Sequence, residues 1–256
     1  MELYLITGFL GAGKTTFLKN FARQFAGRRL RLIINEFGRA GVDGTLLREL
    51  DAALDEISNG SIFCACRLDQ FEAALEQAAA DAPDVVLVEA SGLADPTNVR
   101  RVLAQFPAVS YQGSVCVADA ARLEKVFSTA RACPRQLAVS SLVLLNKTDL
   151  ATEAQCAEAK ALILRANPAA RIRRTQFGRF EPEWLSLIVP DVDVDEVLDM
   201  PDITLQKAVL QIRPTMPFTA LQKCLVQLAG ETWRIKGFVR VPEGIFYVDC
   251  TGPEVR

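Results

Sequence analysis

The sequence predicts an α/β fold built on a doubly wound, mostly parallel sheet, with a small α+β appendage at its C-terminal end. Short β-branched runs alternate with amphipathic stretches over roughly the first 190 residues, the pattern of strands joined by crossover helices. Several of these runs are apolar throughout, as strands covered on both faces are. An acidic, proline-flanked stretch then interrupts the alternation, and a different pattern follows it.

Taken in order, the strand candidates are Leu3–Ile6, Leu30–Ile34, Val85–Val88, Val115–Val117, Leu142–Leu145 and a short one at Ile172. Helical spacing of apolar residues marks Thr16–Phe25, Leu68–Ala80, Val99–Gln105 and Glu153–Ala166 between them. These elements make up an expected domain over 1–190. From Pro190 to Pro201 the chain carries Asp191, Asp193, Asp195, Glu196 and Asp199. So many charges with so few apolar partners read as a linker, taken as 191–204. Residues 205–256 then give a strand at Val209–Ile212, a helix at Thr219–Leu228 and strands at Ile235–Val241 and Ile245–Cys250, a βαββ module.

Bulk properties narrow the function. The 256 residues are 50% hydrophobic and 23% charged, with a net charge of -2. No basic field is available to hold nucleic acid or an anionic membrane. No apolar run approaches the ~20 residues that span a bilayer, and no leader precedes the first strand, so a cytoplasmic location is expected. The 7 cysteines are scattered, which in a reducing compartment makes most of them buried thiols. The chain has 0 histidines, and every mechanism that draws an imidazole base or ligand from it is excluded.

Chemistry first appears between the first strand and the first helix, at Gly8-Phe-Leu-Gly11-Ala12-Gly13-Lys14-Thr15, followed by Thr16. Glycines let the backbone curl until consecutive N–H groups point at phosphate oxygens, and the helix adds its positive end. Lys14 is placed to bridge β- and γ-phosphates, and the Thr15 hydroxyl to ligate Mg2+. The domain is therefore expected to be a P-loop nucleoside-triphosphate-binding domain. Asn146-Lys147-Thr148-Asp149 directly follows the apolar run 142–145, at the carboxyl end of a strand, where such sheets deliver ligand contacts. A carboxylate at Asp149 accepts from both N1–H and the 2-amino group of guanine, donors that adenine lacks. Lys147 can lie along the base, and Asn146 braces the loop. Between these motifs, Val85–Val88 leads into Glu89-Ala90-Ser91-Gly92. Glu89 there suits a magnesium or metal-water contact, or else a cap for the following helix. Gly92 offers an N–H that approaches phosphate without side-chain interference.

These stretches together resemble the CobW-type family of GTPases, associated with metal insertion and homeostasis. The resemblance rests on Thr7–Thr16, Asn35–Gly38, Gly41–Gly44, Ser58–Gly60, Glu89–Pro96 and Asn146–Asp149, and more lightly on Gly237-Phe238-Val239 after Lys236. It implies slow hydrolysis of GTP to GDP with Mg2+, and a second ion, zinc or cobalt, near loops that respond to nucleotide. It further implies a metalloprotein client, and by analogy it allows a GTP-linked homodimer. Asp119, ending the strand at Val115–Val117, matches an aspartate common in the family and reads as a cap or loop brace. Lys14, Glu36 and Glu89 are the catalytic candidates, Glu36 to position water or sense metal.

Two departures stand out. Where the family carries Gly-Cys-x-Cys-Cys, this chain has Gly60-Ser61-Ile62-Phe63-Cys64, and Cys66 forms a C-x-C pair with Cys64. Thiolates with Glu36 suit Zn2+ or a related ion, although two metal-free buried thiols fit the same residues. The C-terminal module is also shorter than the family's. Either it is naturally short or truncated, or a partner completes a missing edge, for which an unpaired Ile245–Cys250 is a ready docking surface. A plain stabilising cap on the large domain fits the same residues. Two other readings stay open: a P-loop ATPase or small-molecule kinase, and a nucleotide-gated binding module without turnover.

Overall fold

The computed structural model describes residues 1–35, 52–57, 68–190, 210–213, 215–232, 235–251 and 254–255. Two compact units divide the chain, Met1–Ile203 and Thr204–Arg256. The expected linker, 191–204, lies outside the described residues.

In the first unit, strands β1 (Glu2–Thr7), β2 (Leu30–Asn35), β3 (Ala52–Ile57), β4 (Val85–Glu89), β5 (Ser110–Asp119), β6 (Leu142–Asn146) and β7 (Arg171–Arg174) form one sheet. Its order is β3-β2-β4-β1-β5-β6-β7, and every pairing is parallel. Strand β1 lies in the middle: the chain moves outward on one side through β2 to β3, returns to β4 between β2 and β1, then crosses to β5 on the other side. That crossing is the switch point at which doubly wound sheets bind ligands, beyond the carboxyl ends of their strands. The helices are α1 (Lys14–Ala22), α2 (Leu68–Asp81), α3 (Val99–Leu103), α4 (Leu123–Thr129), α5 (Ala132–Ala138) and α6 (Glu153–Ala166). Thr152 and Gln155 form a reciprocal capping box at the start of α6.

Alternate residues of the central strands feed two separate cores. Tyr4, Ile6, Val85 and Leu87 face Phe17, Phe21 and Phe25, while Leu3, Leu5, Val86 and Val88 face Phe71, Leu75 and Val102. Phe21 anchors the first core, with ring centroids 5.5 Å from Tyr4, 5.2 Å from both Phe17 and Phe25, and 4.9 Å from Phe180. Because this cluster seats α1 and hence the loop before it, Phe21→Ala should remove about 3–5 kcal/mol of stability. Urea unfolding checks this, and an unchanged midpoint contradicts it.

Strand β3 escaped the sequence reading, since Ala-Ala-Leu-Asp-Glu-Ile has no strand-like run of β-branched residues. Its charge is matched from the neighbouring strand. Arg31, with only 6% of its side chain exposed, donates from Nε to Asp55 at 2.6 Å and also pairs with Asp81 of α2. No helix among the described residues is long and apolar enough to cross a membrane.

The second unit holds α7 (Phe218–Glu231), β8 (Ile235–Val241), β9 (Gly244–Thr251) and β10 (Glu254–Val255) in an antiparallel sheet ordered β10-β9-β8. Leu221, Leu225 and Ala229 of α7 pack on Val241, Val248 and Cys250. Two expectations differ here. Residues 210–212 form no strand, and Val209 lies outside the described residues. The expected edge at Ile245–Cys250 is closed only in part: β9 pairs with β8 from Gly244 to Cys250, and on its other side with β10 at Cys250 and Thr251. The two-residue β10 supplies that pairing, and it is too short to show in a periodicity reading.

Candidate functional site

The loop between β1 and α1 runs beneath the carboxyl end of β5. Gly8, Gly11 and Gly13 adopt φ values of 136°, 73° and 101°, in the region that favours glycine. Space demands glycine as well. A Cβ on Gly8 would lie 2.2 Å from the Val117 carbonyl oxygen, and one on Gly13 would lie 2.6 Å from Asn146 Nδ2. No side chain caps α1, and no carboxylate occupies its first turn. Its positive end is therefore left to an anion. Ala12 is buried in the loop, and Thr16 is exposed on the first turn. Lys14 is buried, and its ammonium donates to the Phe9 carbonyl at 3.3 Å, which keeps the charge over the curl of the loop.

Glu89 ends β4 opposite Ile6 of β1 and is 4% exposed. The Thr15 hydroxyl donates to its Oε1 at 3.1 Å. A hydroxyl and a carboxylate converging beside the phosphate loop are the hard oxygen donors that Mg2+ takes, so these residues fit that ion. Gly92 packs directly on the loop, where a Cβ would lie 2.7 Å from the Leu10 nitrogen. The segment carrying it is tied to α5, since Gln136 Nε2 donates to the carbonyls of Gly92 and Ala94 at 3.2 and 2.9 Å. Arg135 also pairs with Asp95. Burial works to raise the Asp95 carboxyl, yet hydrogen bonds from Thr97 and Arg135 outweigh it and hold the group below the ordinary carboxylate range. This tie is thus present near neutral pH and is lost as pH falls through the lowered value.

At the far side, Asn146 joins three segments. Its Nδ2 donates to the Ala12 carbonyl at 2.9 Å, and its Oδ1 accepts from the Gly178 N–H at 3.0 Å. Lys147 follows in a left-handed conformation, φ 60°, with its ammonium 2.8 Å from Asp119. Asp149 is exposed on a one-turn helix, Thr148–Leu150. The phosphate loop, Glu89, Gly92 and the 146–149 segment therefore gather at one end of the sheet.

The loop after β7 belongs to the same cluster and was not singled out in the sequence. Thr148 donates from both its N–H and its hydroxyl to the Thr175 carbonyl. Asn20 of α1 donates to the carbonyls of Phe177 and Gly178, and Phe177 stands 63% exposed beside them. Only its place, at the carboxyl end of a parallel strand, could have pointed to it. Asn35, at the end of β2, was likewise noted only within a shared stretch. It donates to the Ile57 carbonyl at 3.0 Å and accepts from the Ser91 N–H at 3.4 Å.

Glu36, Cys64 and Cys66 lie outside the described residues. Among the described residues no group of three or more Cys, Asp or Glu could hold a metal ion. Cys116 and Cys133 are fully enclosed. Burial pushes the Cys116 thiol up to about 12 and the Cys133 thiol well above its ordinary value, so both stay protonated and unreactive.

Comparison with known proteins agrees with this arrangement. The CobW/HypB/UreG nucleotide-binding domain family matches residues 2–174. The zinc chaperone CobW of Pseudomonas aeruginosa is 32% identical over 206 residues, covering 66% of this chain and 55% of that protein. The zinc chaperone YjiA of Escherichia coli is 26% identical over 226 residues, with 84% and 66% covered. The zinc-regulated GTPase metalloprotein activator 1 of Schizosaccharomyces pombe is 27% identical over 209 residues, with 77% and 48% covered. The chain thus spans about half to two thirds of the length of these relatives. The crystal structure of the Zn(II)-bound YjiA GTPase from E. coli superimposes with a TM-score of 0.55 at 18% identity, over 100% of this chain and 87% of that one. That likeness bears on the fold. Through a domain model that matches most of its length, the chain belongs to the CobW/HypB/UreG family.

Proposed function

We propose that this protein binds GTP with Mg2+ and hydrolyses it to GDP and phosphate, and that the nucleotide cycle governs transfer of a transition-metal ion, zinc or cobalt, to a metalloprotein client. The observation that carries the reading is the joining of phosphate loop and base-reading segment through one buried side chain, Asn146. The family membership and the zinc-chaperone names of its relatives support the metal half.

In this reading the amides of Gly8, Gly11, Ala12 and Gly13 and the first turn of α1, with Thr15 and Thr16, cradle the phosphates, and Gly92 offers an N–H to the γ-phosphate. Lys14 supplies a fixed cation where charge develops. Thr15 and Glu89 hold the magnesium, which neutralises the phosphate oxygens. Asn146 braces the base loop, Lys147 lies along the guanine and Asp149 reads its edge. Glu36, directly after Asn35, positions the attacking water or senses the metal, and with Cys64 and Cys66 supplies the ligands for the cargo ion.

Phosphate release from GTP and ATP, with and without Zn2+, tests this. The expected result is slow GTP turnover that needs Mg2+ and changes with Zn2+. Turnover of ATP at the same rate, or transfer of phosphate to a small-molecule acceptor, would replace the reading with the ATPase or kinase one. Tight GTP binding with no turnover at all would leave a gated binding module.

A further inference from the structure

The ion pair between Asp119 and Lys147 joins the ends of two strands that meet at the base-reading loop. We infer that Asp119 is a positioning residue for guanine nucleotide, acting through Lys147. The inference rests on the guanine-nucleotide reading above.

Asp119 is the last residue of β5 and sits opposite Asn146, the last residue of β6. The Ala120 N–H donates to the Asn146 carbonyl at 2.9 Å, so the two strand ends are also locked through their main chains. The carboxylate is used at both oxygens. Oδ1 accepts from the Ala121 N–H at 3.1 Å, which fixes its plane, and Oδ2 receives the Lys147 ammonium at 2.8 Å. Only 10% of the Asp119 side chain and 24% of the Lys147 side chain are exposed, so solvent screens this contact less than it screens a surface pair.

Lys147 needs such a tether. A lysine side chain is flexible and its ammonium strongly hydrated, so left alone it samples many directions. Its backbone is left-handed, a conformation disfavoured for a residue bearing a Cβ and kept only where the surroundings impose it. With the ammonium held back on β5, the four-carbon stem has one course, across the start of the base loop. That presents a fixed apolar strip of the kind a planar purine can lie on. Arg122, whose N–H donates to the Asp119 carbonyl, continues the same turn.

The two oxygens also separate a positioning role from a plain turn brace. Asp119→Asn keeps an amide oxygen for the Ala121 N–H but places an NH2 group, itself a donor, against the ammonium. The test is a double-mutant cycle on the full chain with Mg2+ and GDP, reading affinity by calorimetry and dissociation with a fluorescent GDP analogue. D119N should weaken GDP by about tenfold or more, as loss of a charge-assisted bond does, mainly through faster dissociation. K147A should cost a similar factor, and the double variant no more than K147A alone. GDP affinity in D119N equal to that of the wild type, or losses that multiply in the double variant, would overturn the role of Asp119 while leaving the guanine reading intact. A wild type that takes up no GDP would overturn both.

Discussion

Replacing Lys14 with alanine should cut GTP turnover by roughly 10²–10³-fold while the protein stays folded. Lys14 is the first residue of α1, and alanine is the most favourable helix residue, so the element itself should survive. What disappears is a cation buried over the curl of the loop and held there by the Phe9 carbonyl. A charge fixed in a water-poor site stabilises developing negative charge far better than a mobile one in solvent, because it need not reorganise as the reaction proceeds. Single-turnover measurement at saturating GTP, with circular dichroism as the control for folding, checks this. Turnover within a few-fold of the wild type would remove Lys14 from the chemistry.

The second large effect belongs to Asp149. Its carboxylate stands on the one-turn helix after Lys147 and is exposed, so a base reaches it without rearrangement of the core. Asparagine at this position keeps one acceptor for N1–H but turns a donor toward the 2-amino group of guanine. Losing a charged bond and opposing two donors should cost on the order of 100-fold in GDP affinity. Xanthine carries a carbonyl where guanine carries that amino group, so the same substitution should raise affinity for XDP. Competition between GDP and XDP on wild type and Asp149→Asn reads both changes at once. A variant that loses GDP without gaining XDP would indicate a damaged loop instead of a changed base preference.

Much of this site was legible because its chemistry is written in contiguous residues. Gly8, Gly13, Lys14 and Thr15 act as one segment, and their spacing alone states the need for a curled backbone and a helix end. Asn146–Asp149 follows a strand whose apolar run is unmistakable. The parallel sheet was legible for the same reason, since β1, β2, β4 and β6 are buried on both faces.

Contacts between distant segments were not legible. The Asp119–Lys147 pair, the tie from Gln136 to the Gly92 segment and the placing of Phe177 and Gly178 beside Asn146 depend on which strand ends meet, and strand order is not visible in local pattern. Helices α4 and α5 each span 7 residues, about two turns, too few to establish a 3.6-residue period. Pro134 near the start of α5 reads as a breaker, although the first turn tolerates it. Strand β3 hid its identity in Asp55, whose charge is satisfied by Arg31 on the adjacent strand.

Both substitutions assume a site in which main-chain amides hold a triphosphate while a separate carboxylate selects the purine. Calorimetric titration of the magnesium-loaded protein with GTP and then with ATP tests that assumption most directly. The account predicts saturable uptake of GTP and an ATP affinity lower by about 10³-fold or more. Equal affinity for the two nucleotides, or no heat from either, would contradict it.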